Sequence, residues 1–278
     1  MDRKARGELL TQQVEEAFID LEEQLSQGHT EDFVRLLEFY AQFRSYSMGN
    51  ICLILMQNPH ATKCAGFKQW EKLGYQVKQG EQALWIRAPW MRKLTDQDTG
   101  EIVERLIGWI AVPVFDVSQL AGDVELPKPR HPLEGDFETL YLHTRVTIGT
   151  TGILVDEEPL PTGIHGMSMG GRIVISPKLS TSEKLLCAFH EWGHELLHRD
   201  EDRDQLSKTQ RELEAESVSF LMARMFGMDN PFSRDYILHY KGTVEGLHES
   251  VTRIHAAVKK MYGLLEVKTH EQAVAEAA

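Results

Sequence analysis

Apolar residues recur at helix spacing at the start of the chain and at strand spacing soon after. Leu10, Val14, Ala17 with Phe18, Leu21 and Leu25 mark one face of a helix over residues 8–27. Gly28 ends it, and Thr30 can cap a second helix that carries Phe33, Leu36, Leu37, Tyr40 and Phe43. The apolar run 51–56 reads as a third helix stopped at Asn58-Pro59, since proline disfavours helix in the residue before it. Residues 67–73 read as one or two helical turns closed by Gly74. The period then falls to two. Residues 75–78 and 83–87 read as strands around Gly80, and 91–95 and 102–115 as two more joined by a turn at Asp98-Thr99-Gly100. The pattern predicts a helical start followed by a small antiparallel sheet, ending near residue 120.

Pro127, Pro129 and Pro132 sit among polar residues and mark a linker. Beyond it, residues 137–147 read as a helix. Residues 153–155 and 172–176 read as strands, the second after a bend at Gly170-Gly171 and able to serve as an edge strand for an extended peptide. Ser180 with Glu183 three positions on is a capping box that opens the next helix. Residues 212–226 are helical up to Gly227, residues 236–262 mostly so, and the tail from Lys268 is loose. The fold class expected is α+β in two domains, 1–125 and 135–278.

Composition changes this picture in two places. Cys52, Cys64 and Cys187 form no CxxC pair, which points to a reducing compartment rather than a disulfide framework. The start of the chain has no apolar core of a signal peptide, and no apolar run approaches membrane-spanning length, so a cytoplasmic protein without a membrane partner is expected. The formal net charge of −12 argues against nucleic-acid binding by the chain as a whole. Between Arg44 and Lys93, however, eight Lys/Arg face only Glu71 and Glu81. The same stretch carries Tyr46, Phe67, Trp70, Tyr75, Trp85 and Trp90. Cations that hold a backbone and rings that stack on bases are the physical recipe for single-stranded nucleic acid. The residues that would supply it are Arg44, Tyr46, Asn50, Lys63, Lys68, Trp70, Lys72, Lys78, Trp85 and Arg87.

The strongest chemical signal is His190-Glu191-Trp192-Gly193-His194. Residues four apart share one face of a helix, so His190 and His194 present two imidazoles to one metal. Glu191 is displaced by one position and can reach a water on that metal without being a ligand. This is the metallohydrolase arrangement, in which the metal acidifies water and the glutamate takes its proton. A catalytic zinc keeps three protein ligands, and four residues are candidates for the third. His198 lies about 12 Å along the axis from His190, too far to share the metal with both histidines. Asp200 lies where a glycine-turn extension would put a ligand, but Leu197 occupies the turn. Glu214 and Glu216 lie on the next helix, about 200° apart, so only one of them can face the metal. Ser219 and Phe220, at +3 and +4 from Glu216, favour Glu216 as the residue at the helix contact. Tyr236, His239 and Tyr240 are candidates for stabilising an oxyanion.

Three segments together resemble the antirestriction protein ArdC family. They are Ser47-Met48-Gly49-Asn50-Ile51, the run from Gly66-Phe67-Lys68-Gln69-Trp70 to Gly80-Glu81, and Val114-Phe115-Asp116-Val117-Ser118-Gln119. They look like that family's N-terminal domain, which is associated with single-stranded DNA. The half with His190-Glu191-Trp192-Gly193-His194 and Glu214-Ala215-Glu216-Ser217 looks like its zincin-type metallopeptidase domain. The resemblance implies a Zn2+ site, or one for another divalent ion such as Mn2+, on His190, His194 and Glu216, the metal-binding glutamate of the family following an alanine. It also implies Glu191 as general base, and a mobile-element protein that shields incoming single-stranded DNA from host restriction. Two other readings compete. One is a regulatory protease that cleaves a repressor or host protein. The other is a DNA-binding protein whose metal site is proteolytically inactive.

Overall fold

The computed structural model describes residues 2–43, 45–95, 102–122, 124, 133–199, 206–242 and 246–266. These form an α+β protein of two compact units, Met1–Leu21 with Gln42–Pro127 and Glu22–Ala41 with Lys128–Ala278. The turn expected at residues 98–100, the linker prolines and the tail from Lys268 lie outside the described residues. Among the described residues no helix is long and apolar enough to cross a membrane.

In the first unit, helix α1 (Arg3–Ser26) buries Leu10, Val14, Phe18 and Leu21, the stripe its sequence spacing predicts. Helix α2 (Glu31–Gln42) falls almost wholly in the second unit. Helix α3 (Met48–Gln57) starts at Ser47, whose hydroxyl accepts from the Asn50 N–H. Strand β1 (Cys64–Ala65), helix α4 (Phe67–Lys72), strand β2 (Leu84–Thr95) and strand β3 (Ile102–Asp116) follow, giving an antiparallel sheet in the order β1-β3-β2. The two strands expected at 83–87 and 91–95 are one strand with a bulge at Trp90/Met91. Pro89 is tolerated there because β2 is an edge, where a missing N–H costs no ladder bond. Residues 75–78 contribute only a bridge from Val77 to Leu120. A Cβ on Gly7 would lie 2.3 Å from the Trp109 carbonyl oxygen, so only glycine lets α1 lie this close to β3.

Trp70 is fully buried, and its indole N–H donates to the Phe115 carbonyl at 2.9 Å, fastening α4 to β3. Trp70→Ala is expected to cost about 3–5 kcal/mol, seen as a lower urea midpoint. Lys68→Ala, at an exposed position of the same helix, should change stability by no more than about 0.5 kcal/mol.

The second unit contains α2, helix α5 (Phe137–Thr150), strands β4 (Leu154–Glu157), β5 (Gly166–Ser168) and β6 (Arg172–Ile175), and helices α6 (Thr181–Leu197), α7 (Lys208–Met225), α8 (Pro231–Leu238) and α9 (Leu247–Leu265). Thr30 donates its hydroxyl to the Leu238 carbonyl at 2.9 Å, which ties the start of α2 to α8. The sheet order is β4-β6-β5, with β6 parallel to β4 and antiparallel to β5. The segment expected to be an edge strand, 172–176, therefore supplies the central strand, and β5 takes the edge. Gly170 and Gly171, both with positive φ, make the two-residue turn between β5 and β6. Their N–H groups donate to the two carboxylate oxygens of Glu195 at 2.8 and 2.6 Å, and the Ser168 hydroxyl donates to it at 2.7 Å. One buried carboxylate on α6 thus fixes the height of β5 over that helix. Glu157 does the same at the other edge, accepting from Tyr141, Arg145 and Lys184.

Candidate functional site

Helix α6 is nucleated by its capping box, in which the Ser180 N–H donates to Glu183 at 2.8 Å and the Ser180 hydroxyl accepts from the Glu183 N–H. Its apolar face buries Leu185, Ala188, Phe189 and Trp192. Gly193 turns to α7, where a Cβ would meet Val218 and the Ala215 Cα at 3.4–3.6 Å. This register sets His190 and His194 on the floor of a cavity of about 840 Å³. Gly166, Met167 and Ser168 of β5 form one wall, and Phe232 and Tyr236 of α8 lie on the lining as well.

The two Nε2 atoms are 3.0 Å apart, and Oε2 of Glu212 lies 3.5 Å from each. Donor atoms around one tetrahedral ion with bonds of ~2.1 Å are separated by roughly 3.4 Å, so this spacing is that of three donors able to share one cation. Among the described residues His190, His194 and Glu212 form such a group. Glu216 meets the other side of His190, with Oε1 3.4 Å from Nδ1, and Oε2 accepts from the Ser233 hydroxyl at 2.5 Å. Glu214 points away from both, fully buried against His198 and Arg253. Asp200 lies outside the described residues. Glu212, which was not among the four sequence candidates, thus occupies the position expected of Glu216. The signal that could have found it is the four-residue spacing to Glu216, which puts both on one face of α7.

The charges respond to this crowding. Burial works against a charged His190, but Glu212 and Glu216 hold it protonated and raise its pKa to about 10. Glu212 is held well below the usual carboxylate range by its contacts with His190 and His194. Burial pushes Glu191 up, against the pull of the two histidines. The Glu191 carboxylate sits under β5, and a Cβ on Gly166 would lie 2.8 Å from its Oε1 and 2.3 Å from the Cys187 sulfur. Tyr236 is raised to about 12 by burial and by Glu212 and Glu216. It lines the cavity, whereas His239 bonds its own helix through the Asp235 carbonyl and Tyr240 is buried.

The residues singled out for nucleic acid divide by direction. Arg44 lies outside the described residues. Trp70, Asn50 and Arg87 turn inward, which corrects their assignment to an interface. Trp70 is core, and the Asn50 amide exchanges two 2.9 Å bonds with the backbone of Arg87, locking α3 to β2. Arg87 is buried with its guanidinium 4.7 Å from the Trp109 ring centre. Tyr46 is half-buried and donates to the Cys64 carbonyl. Trp85 is half-buried, with the Arg6 guanidinium stacked 3.9 Å from its ring centre. Lys63, Lys68, Lys72 and Lys78 are exposed. Lys63 and Lys78 flank one turn, Val117–Gln119, through backbone bonds to Val117 and Gln119. Phe67, at the start of α4 and one of the rings of this basic stretch, is exposed beside Lys68.

Residues 7–112 match the family model of the N-terminal domain of anti-restriction factor ArdC. An uncharacterized protein of Bacillus anthracis, pXO2-81, is 26% identical over 287 residues, which cover 87% of this chain and 49% of that protein. The chain thus spans about half the length of this curated relative. Crystal structures of the antirestriction ArdC protein from the R388 plasmid are similar at low identity. The metal-free form has a TM-score of 0.48 at 16% identity, covering 83% of this chain and 86% of that one. The Mn(II)-bound form has a TM-score of 0.43 at 15% identity, covering 82% and 96%. Residues 7–112 therefore carry a domain of the type found at the N-terminus of anti-restriction factor ArdC.

Proposed function

We propose that this chain is an antirestriction protein of two functional parts, a single-stranded-DNA-binding domain over residues 1–125 and a zincin-like metallopeptidase domain over residues 135–278. The observation that carries the reading is the meeting of the His190, His194 and Glu212 donor atoms beside the buried Glu191 carboxylate. His190, His194 and Glu212 would hold a divalent ion, zinc by its donor set, with Mn2+ the alternative bound in the R388 relative. Such an ion supplies Lewis-acid charge and makes water a nucleophile near neutral pH.

The chain's own groups do the rest. Glu191 accepts the proton of the attacking water and carries it toward the leaving amine, a role suited to a carboxylate whose pKa is raised by burial. Tyr236, a neutral phenol on the cavity wall, donates to the developing oxyanion. Strand β5, at the edge of its sheet, pairs with an extended peptide and lays it across the floor. In the N-terminal domain the exposed Lys63, Lys68, Lys72 and Lys78 hold phosphates, with Phe67 and Trp85 offering rings.

Two measurements on the full chain test the two parts. Purified protein should carry about one divalent ion per chain, and His190→Ala almost none. Binding to a fluorescent single-stranded oligonucleotide should weaken steeply with salt, and changing the four lysines to alanine should flatten the salt slope by roughly three units. An ion-free wild type would end the peptidase reading, and a salt slope unaffected by the four substitutions would end the DNA-binding one.

A further inference from the structure

His198 is too far along α6 to share a metal with His190, yet it is not idle. It is buried at the C-cap of α6, and its Nδ1 lies 3.0 Å from Nδ1 of His194. Its Nε2 lies 3.0 Å from Oε2 of the fully buried Glu214. Glu214 accepts in turn from the guanidinium of Arg253 on α9, and Arg253 also donates to the Ser250 hydroxyl at 3.1 Å. Gln210 donates to the same hydroxyl at 3.0 Å.

Donor and acceptor chemistry gives this chain one direction. Arginine only donates, and an ionised carboxylate only accepts. Glu214 must therefore receive a hydrogen from His198, which puts the His198 proton on Nε2. Nδ1 of His198 is then an acceptor, and the atom facing it, Nδ1 of His194, must carry a hydrogen. A neutral imidazole protonated at Nδ1 has its lone pair on Nε2, the atom that faces Glu212 and His190. We propose that Arg253, Glu214 and His198 form a positioning relay that fixes the tautomer and ring orientation of His194, so that its Nε2 lone pair faces the cation site. The relay reaches from α6 through α7 to α9, so three helices hold one ring. It rests on the metal reading above for its purpose, but not for its geometry.

The test has two readouts on the full-length protein. In the metal-free form, long-range proton–nitrogen NMR of 15N-histidine protein should show His194 protonated at Nδ1. In His198→Phe and in Glu214→Gln that preference should be lost. Glu214→Gln keeps size while removing the obligatory acceptor, so it decides the matter should the phenylalanine variant fail to fold. In parallel, Zn2+ affinity measured against a chromophoric chelator should fall about 10- to 100-fold in both variants at unchanged stoichiometry. A wild-type His194 protonated at Nε2 would overturn the relay, as would folded variants that keep the wild-type tautomer. Variants that bind Zn2+ as tightly as the wild type would overturn it too. A wild type that binds no Zn2+ yet shows the Nδ1 tautomer, lost in the variants, would instead retain the relay and refute the metal reading.

Discussion

Glu212→Ala is expected to lower the affinity for Zn2+ by at least 100- to 1,000-fold, on the order of a third of the binding energy of a three-ligand site. Glu216→Ala is expected to lower it by only about 10- to 100-fold. The difference follows from which imidazole nitrogen each carboxylate meets. Glu212 lies 3.5 Å from both Nε2 atoms and is held ionised by its contacts with them, so it is a charged donor beside two others. Glu216 lies against Nδ1 of His190, where it can keep a hydrogen on that nitrogen while Nε2 gives up its own to a cation, and Ser233 holds its second oxygen. Removing Glu212 deletes a donor, whereas removing Glu216 lets a donor turn. Affinity by chelator competition, with folding followed by circular dichroism, ranks the two variants. A larger loss in Glu216→Ala would make Glu216 the ligand and Glu212 its support.

That ranking also shows where the sequence stops being legible. The two histidines, Glu191 and the capping box that starts their helix are local features, and spacing alone orders them. The packing cue at Ser219 was sound. Its hydroxyl donates to the Leu186 carbonyl, so this face of α7 does meet α6. A face, however, contains residues one turn apart, and one turn is about 5.4 Å. Whether Glu212 or Glu216 stands level with the Nε2 atoms depends on how far α7 slides along α6, which no local pattern encodes. Strand β5 was missed for a related reason. Gly166-Met167-Ser168 has no β-branched residue and becomes a strand by pairing with β6 and being held by Glu195. On the N-terminal side, composition located rings and cations but not their direction. Trp70 and Arg87 look like interface chemistry in a list and prove to be core. The bulge that makes β2 one strand, and the placing of α2 in the second unit, are likewise settled by contacts distant in sequence.

Glu191→Gln should leave Zn2+ stoichiometry unchanged while peptide hydrolysis falls by about 100- to 10,000-fold. The amide has the volume of the carboxylate, so it still fits the space left by the missing side chain of Gly166. It can also still accept from the Ser168 N–H that the carboxylate meets. What it cannot do is take a proton. The same substitution has a thermodynamic signature independent of any substrate. Burial raises the pKa of Glu191 above its unfolded value. The folded state then binds more protons than the unfolded state between those two values, and metal-free wild type loses stability as pH rises through that window. Glutamine has no proton to lose, so the variant should match the wild type in acid and exceed it at neutral pH in urea unfolding. Hydrolysis of a fluorogenic peptide library and parallel unfolding at two pH values separate the outcomes. A variant that hydrolyses as well as the wild type removes Glu191 from the chemistry. A variant without the neutral-pH gain means the carboxylate is not under the desolvation that would tune it as a base, and water reaches it freely beneath β5.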